Sequence, residues 1–407
     1  ELSYSIEMES RCTPVTMDSA DGARIYRRSL VFLLEMAFMD LFPNGKLTID
    51  HSLSSGGFYC QVTERGALAQ DELDALKLRM QKLVEENHPY ERKEVPAQVA
   101  IEYFKMRGYD DKVRLFAYRQ KDYVTLYSLN GQMDYMHGYM VPSTGYLRWF
   151  DLNLINGGFT IQFPRRHAPT DLEPMGDYPK LINTFRQYGD WLESLNIDNV
   201  GALNDAVLSG RADEIVLVSE VLHELNVADI ALQIAQKNSR IILIAGPSSS
   251  GKTTTSRRLA IQLLARGISP YPLELDNYFI DRDKTPLGED GKPDFENLEA
   301  LDLPRLAEDL EKILGGEKVQ LPRYNFKSGK SEAGDIIQLK DGQPLILEGI
   351  HGMNPRLISD RWSGAAFRVY VSALTQLNLD RHNRVSTTDT RLIRRMVRDA
   401  RERGYSA

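Results

Sequence analysis

The sequence predicts an α/β protein: a C-terminal part built on a parallel sheet flanked by helices, preceded by an α+β N-terminal part. Three observations predict it. From about residue 240 onward, apolar runs of strand length alternate with helical patterns, as strand–helix–strand units do. One of those runs leads through a glycine- and serine-rich turn straight into a helical pattern. The first 163 residues mix strand and helix signals without that alternation.

Taken in order, Leu2 to Glu9 reads as a strand, and Leu30 to Leu41 as a buried helix stopped by Pro43-Asn44-Gly45. Leu73, Leu76, Met80 and Leu83 recur at helical spacing, giving an amphipathic helix that ends before His88-Pro89. Val113 to Tyr118 and Tyr123 to Leu129 alternate like strands, with Asn130-Gly131 as a hairpin turn before Met133. The polar stretch Pro164-Arg165-Arg166-His167-Ala168-Pro169 marks a boundary. Tyr178 to Lys237 reads as helical, with an apolar face of Leu217, Val218, Val221, Leu222 and Leu225. The expected strands of the second part are Ile241 to Ala245, Tyr271 to Leu275, Leu345 to Leu347 and Phe367 to Val371. The expected domains are therefore residues 1–163, a mainly helical connector over 164–238, and residues 239–407.

Composition narrows the classes. A net charge of −7 and a pI near 5.7 exclude a broad basic field for gripping nucleic acid, though not a local basic patch. Two cysteines, Cys12 and Cys60, make no disulfide framework, and a cytoplasmic location is expected. No apolar run approaches the roughly 20 residues that span a membrane, so no membrane partner is expected. No basic and then apolar leader opens the chain, so secretion is not expected. The chain lacks an initiating Met and closes at Gly404-Tyr405-Ser406-Ala407 directly after a charged helix. Both ends read as cuts, or as limits of ordered residues.

Gly246-Pro247-Ser248-Ser249-Ser250-Gly251-Lys252-Thr253, followed by Thr254, matches the phosphate-loop pattern in full. Its flanks suit the motif: Arg240 to Ala245 is a short buried strand, and Thr253 to Ala265 a helix closed by Gly267. Glycines let backbone N–H groups turn toward phosphate oxygens, and the helix N-terminus adds about half a unit of positive charge. Lys252 would reach the β- and γ-phosphates of ATP, and the Thr253 hydroxyl would ligate Mg²⁺. No Asn-Lys-x-Asp guanine reader follows, which excludes a GTPase.

Asp276 closes the second strand, where ligands of open α/β sheets bind. An aspartate there can accept the proton of an attacking hydroxyl. Glu348 ends the strand Leu345 to Leu347 and is placed to hold Mg²⁺. Arg391, Arg394, Arg395 and Arg398 share one helix face, as a phosphate-gripping lid or as a solvated surface helix.

The C-terminal part resembles the uridine kinase and phosphoribulokinase family of P-loop enzymes. The resemblance runs from Arg240 to the end, through Gly246 to Thr254, Leu275 to Phe279, Pro322 to Phe326, Leu347 to Ile350 and Arg391 to Gly404. It implies that Asp276 activates a nucleoside 5′-hydroxyl, and that Thr253, Asp276 and Glu348 surround Mg²⁺. It also implies that Tyr278 or Phe279 lines the nucleoside pocket, that Glu296 grips ribose hydroxyls, that Tyr324 is a pocket tyrosine and that Arg391 and the later arginines form the lid. The implied reaction is phosphorylation of uridine or cytidine by ATP in pyrimidine salvage. Asn325 replaces the Asp of the family's Tyr-Asp-Phe segment, Gly329 with Lys330 occupies the region of its base-reading His, and His351 stands close after Glu348. The family domain also continues beyond the lid helix. A kinase for a sugar phosphate or pantothenate, and a nucleotide-switched RNA-binding or regulatory protein, are the rival readings.

The first 160 or so residues resemble the editing domain of threonyl- and alanyl-tRNA synthetases, through Arg27 to Leu30, Phe42 to Leu47, Gly57 to Tyr59, Asn87 to Val95 and Val141 to Gly145. Where that domain carries a His-x-x-x-His and a Cys-x-x-x-His pair, this sequence has Arg28 and Phe32, then Met136 and Met140. None of these is a ligand for catalytic zinc, so the metal site is expected to be lost. Arg28 suits a carboxylate or phosphate, and RNA or an effector is the expected partner of this domain. A homo-oligomer is the expected assembly.

Overall fold

The computed structural model describes residues 9, 11, 13–53, 55–155, 157–176, 178–288, 291–373 and 377–402. The expected strand Leu2 to Glu9, apart from Glu9 itself, lies outside the described residues, as do Cys12 and the closing tetrapeptide. The chain divides into two compact units, residues 1–212 with 375–386, and residues 213–374 with 387–407. The connector expected over 164–238 is shared between them, and a ten-residue stretch of the described C-terminal sequence, 377–386, folds with the first unit.

The first unit opens with α1 (Ala20–Leu41). Its N-cap Ser19 accepts from the Gly22 N–H at 3.0 Å, satisfying one of the free donors of the first turn. Leu30, Phe32, Leu33, Leu34 and Ala37 are wholly buried, so the helix forms the spine of a core that includes α2 (Gln70–Glu86) through Leu73, Leu76, Met80 and Leu83. Strands β1 (Lys46–Leu53) and β2 (Gly57–Thr63) form an antiparallel hairpin. With β6 (Asp151–Ile155) and β7 (Gly158–Gln162) they make a sheet of order β1-β2-β7-β6. A second sheet joins β3 (Glu91–Pro96), β4 (Tyr123–Leu129) and β5 (Gln132–Asp134). Asn130 (φ 51°) and Gly131 (φ 78°) both take left-handed backbone, as the two-residue hairpin between β4 and β5 requires.

Helix α3 (Ala97–Met106) precedes α4 (Asp110–Ala117), and the latter corrects the strand expected over Val113 to Tyr118. Val113 and Leu115 alternate, but over so short a run the same residues fit a helix. Asp110 and Asp111 favour the helix N-terminus, and Phe116 fills a core with Ala100, Phe104, Val124 and Leu126. The unit closes with α5 (Pro179–Ser194) and α6 (Val200–Leu208).

Helix α7 (Ala212–Lys237) starts at the division between the units. Of the apolar face expected along this helix, Leu217, Val221 and Leu225 are exposed, while Val218 and Leu222 are half-buried. The buried residues of α7 are Val227, Ala231 and Ile234, nearer its C-terminus, against the sheet of the second unit. That sheet holds β8 (Ile241–Ala245), β9 (Tyr271–Glu274), β12 (Leu345–Gly349) and β13 (Ala366–Tyr370), all parallel, in the order β13-β8-β12-β9. Between β8 and β9 runs α8 (Lys252–Leu264). Helix α9 (Leu303–Leu314) and the hairpin of β10 (Val319–Asn325) and β11 (Lys330–Ile337) separate β9 from β12. The short α10 (Asp360–Ser363) precedes β13, and α11 (Thr387–Glu402) carries the arginines. Among the described residues, no helix is long and apolar enough to cross a membrane.

Candidate active site

The loop between β8 and α8 has the geometry of a phosphate cradle. A side chain at Gly246 would place its first carbon 2.0 Å from the Val371 carbonyl oxygen, so only glycine lets the loop leave the sheet here. Gly251 takes φ 102° immediately before Lys252, and Ser249 takes φ 60°, a left-handed backbone that a non-glycine residue holds only under constraint. The hydroxyls of Ser249 and Ser250 are buried without a hydrogen-bond partner among the described residues. Unpaired hydroxyls of this kind, beside a helix N-terminus, fit phosphate oxygens.

Lys252 leans back over the loop and donates to the Pro247 carbonyl at 3.4 Å. Burial lowers its ammonium below the usual lysine range, while Glu348 and Asp276 pull the other way. Thr253 donates to Glu348 Oε1 at 3.0 Å. Asp276 sits at the carboxyl end of β9, in the turn Leu275–Tyr278. Although part of its surface meets solvent, the protein packed around its carboxyl raises it above the usual range; Lys252 opposes the shift and Glu274 adds to it. Glu348 is also raised, by burial, against the hydrogen bond from Thr253 and the charge of Lys252. Thus Lys252, Thr253, Asp276 and Glu348 form one electrostatic cluster at the strand ends.

Glu274 completes that cluster and escaped the sequence reading. It pairs in register with Glu348 across β9 and β12, and its charge is felt by both Asp276 and Glu348. The signal available was a second carboxylate two residues before Asp276.

Of the arginine face, only part reaches the loop. Arg391 Nε donates to the Ser248 carbonyl at 3.0 Å and Arg394 Nε to the Ser249 carbonyl at 3.4 Å. Arg395 and Arg398 turn instead to Asp399, at 3.6 Å and 2.8 Å.

The expected acceptor-pocket residues divide similarly. Tyr278 is buried and donates to Asp309 Oδ2 at 3.0 Å, inside the core. Phe279 and Tyr324 pack edge to face at 5.5 Å, with Phe295 and Phe326 around them, and the Tyr324 hydroxyl has no partner among the described residues. Glu296 is exposed and lies within electrostatic reach of His351, whose ring burial lowers below the usual histidine range. Asn325 serves its own turn, accepting from the Lys327 and Ser328 N–H groups at 3.0 and 3.2 Å.

In the first unit, the four positions matching the synthetase ligands hold no metal-binding set. Phe32 and Met136 are buried in the core, and Arg28 donates to the Tyr139 carbonyl. A buried polar cluster lies in the same unit. Glu35, Asp134 and His382 bring ligand-type atoms within 4.8 Å of one another, all buried. The buried Lys112 ammonium stands 2.8 Å from Asp134 and 3.0 Å from Asp380, so a cation is already built in. Nothing local announced this cluster, because its members come from four distant stretches of chain.

The comparisons address the two parts of the chain separately. Residues 241–407 match the model of the Phosphoribulokinase / Uridine kinase family. The N-terminal region matches threonine–tRNA ligases. Those of Acidithiobacillus ferrooxidans and Acidovorax sp. are 34% and 32% identical over 160 residues, and that of Lawsonia intracellularis is 31% identical over 146. The match covers 39% of this chain, which spans about 25% of the length of the first two relatives. Solved structures similar to the chain include a candidate fructose transport system kinase from Silicibacter sp. TM1040, at 16% identity and a TM-score of 0.31, covering 44% of this chain and 84% of that one. A candidate uridine kinase from Bacillus stearothermophilus has 19% identity and a TM-score of 0.26, covering 40% and 85%.

Proposed function

We propose that the chain is a nucleoside kinase that transfers the γ-phosphoryl group of ATP to the 5′-hydroxyl of uridine or cytidine, serving pyrimidine salvage in the cytoplasm. The observation that carries the reading is Asp276. It stands at a strand end beside the phosphate loop, in electrostatic contact with Lys252, where a nucleotide switch needs no acceptor base. Lys252 neutralises charge on the transferring phosphoryl group, and Asp276 takes the proton of the attacking hydroxyl. Arg391 and Arg394 leave the Ser248 and Ser249 carbonyls for phosphate oxygens. Thr253, Asp276 and Glu348 are oxygen donors suited to Mg²⁺, which when bound would neutralise phosphate charge and orient the oxygens. Exposed Glu296 and the Phe279–Tyr324 ring pair supply ribose and base contacts. The N-terminal unit keeps a synthetase-like fold without the editing chemistry, and the chain works as a homo-oligomer.

The test is a product assay with purified chain, Mg²⁺ and ATP over an acceptor panel of ribonucleosides, sugar phosphates and pantothenate. Formation of uridine or cytidine 5′-monophosphate with equimolar ADP is expected. Turnover confined to a non-nucleoside acceptor, or ATP binding with no acceptor consumed, would overturn the reading.

A further inference from the structure

The stretch Pro164 to His167 and the basic start of α1 do not belong to the kinase chemistry, yet the fold brings them together. In the first unit a pocket of about 480 Å³ opens between the N-terminal half of α1, the β1–β2 turn and the chain leaving β7. Arg24, Arg27, Arg165, Arg166 and His167 all line it, and among the described residues no carboxylate does. In a chain whose net charge is −7, that concentration of positive charge runs against the composition.

The nearby acids satisfy only part of it. Arg24 pairs with Asp21 at 3.2 Å, while Arg165 and His167 share Glu173 at 3.3 and 3.2 Å. Asp18 lies within electrostatic reach of Arg166. Arg27 forms no ion pair among the described residues; its Nε donates to the Ala23 carbonyl at 3.0 Å. Burial and the neighbouring Arg24 both lower the Arg27 guanidinium, a cost that an anion would relieve.

The aromatic part is equally ordered. The Arg27 guanidinium lies 5.7 Å from the centre of the Phe163 ring, and Phe163 meets Phe58 edge to face at 4.9 Å. Arg384, from the stretch folded with this unit, lies 5.0 Å from the Phe58 ring. Cations beside rings are a combination that takes a base and a phosphate together. At Gly56 (φ 83°) an added carbon would meet the Phe163 carbonyl at 3.0 Å and Arg165 Cγ at 3.3 Å, so this glycine keeps the turn close against the pocket wall.

We propose that this pocket is a second phosphate site, binding a nucleoside phosphate with its phosphate between Arg24, Arg27 and Arg166 and its base beside Phe58. The volume is that of small-ligand pockets and exceeds what a bare phosphate fills. The shared chemistry has two sources, a free mononucleotide or the 5′-phosphorylated end of an RNA strand.

The test uses the full chain carrying Lys252→Ala, which weakens nucleotide binding at the phosphate loop, with AMP and inorganic phosphate as probes in titration calorimetry. About one equivalent of AMP should bind more tightly than phosphate, and the affinity should fall as salt rises. Adding Arg24→Gln and Arg27→Gln should weaken AMP binding at least tenfold with the thermal melt unchanged. If that variant fails to fold, Arg166→Gln, at an exposed position, carries the same expectation. A 5′-phosphorylated oligonucleotide bound more tightly than AMP, again through Arg27, assigns the site to an RNA end; equal or weaker binding assigns it to the free nucleotide. AMP binding indifferent to these substitutions, or absent at millimolar probe, overturns the proposal.

Discussion

The Thr253 hydroxyl donates to Glu348 Oε1 across 3.0 Å, tying the first turn of α8 to the end of β12. The pair places two oxygen donors side by side at the mouth of the phosphate loop. Glu348→Gln keeps a hydrogen-bond acceptor there but removes the charge. The Mg²⁺ concentration giving half-maximal turnover should rise about tenfold or more, the scale seen when groups supporting a metal site are lost. A Mg²⁺ titration of turnover checks this, and an unchanged midpoint would remove Glu348 from the metal site.

Lys252→Ala and Asp276→Asn should both abolish measurable turnover, for separable reasons. The first removes charge stabilisation on the phosphoryl group and should also weaken ATP binding. The second removes only the acceptor base, worth about 10²–10⁴ in rate, so ATP binding should persist. Nucleotide titration of both variants distinguishes them, and full activity in the Asp276 variant would sink its role.

The charges around Asp276 set a pH profile. Its carboxylate must be ionised to accept a proton, and its raised value puts the acid limb of kcat/KM above the ordinary aspartate value of about 3.9. Lys252 must be charged, and its lowered value puts the alkaline limb below the ordinary lysine value of about 10.4. Glu274 is one of the charges raising Asp276, so Glu274→Gln should move the acid limb to lower pH. A limb that stays in place would show that Glu274 does not act on the base.

The arginine face should split under substitution. Arg391→Ala and Arg394→Ala remove the side chains that reach the loop carbonyls, and each should cost about 10- to 1000-fold in kcat. Arg395→Ala should change kcat by less than about threefold, because its exposed guanidinium is turned to Asp399. Steady-state kinetics on the three variants decides whether Arg395 acts in the lid beside Arg391 and Arg394.

The buried cluster in the first unit predicts its own pH dependence. Burial, then the neighbouring Asp134, holds the Glu35 carboxyl well above the usual range. A folded-state value above the unfolded one gives stability that is present below the unfolded value and lost as pH rises through the folded one. Glu35→Gln fixes the neutral form, so its Tm should gain on the parent protein as pH rises. Lys112→Met leaves Asp134 and Asp380 buried without their cation and should cost about 3–5 kcal/mol in urea unfolding. A loss below about 1 kcal/mol would mean that other groups compensate those charges.

Much was legible in the sequence because it is local. The phosphate loop, the strand before it and the helix after it are consecutive residues whose backbone demands are read from residue type alone. So are the hairpin at Asn130-Gly131, which needs left-handed backbone, and α2, whose buried residues keep helical spacing. What only the tertiary structure decided rests on distance in sequence. Glu274 belongs to the site because β12 lies between β8 and β9, which puts it opposite Glu348. Tyr278 is tied to the core at its hydroxyl because α9 presents Asp309 to it. Helix α4, expected as a strand, is selected by the aromatic core beneath it and by the buried partners of Lys112. Residues 377–386 fold with the N-terminal unit because Asp380 and His382 find Lys112, Asp134 and Glu35 there. Buried charges are stable only when paired, and a sequence read locally does not say which distant residue completes each pair.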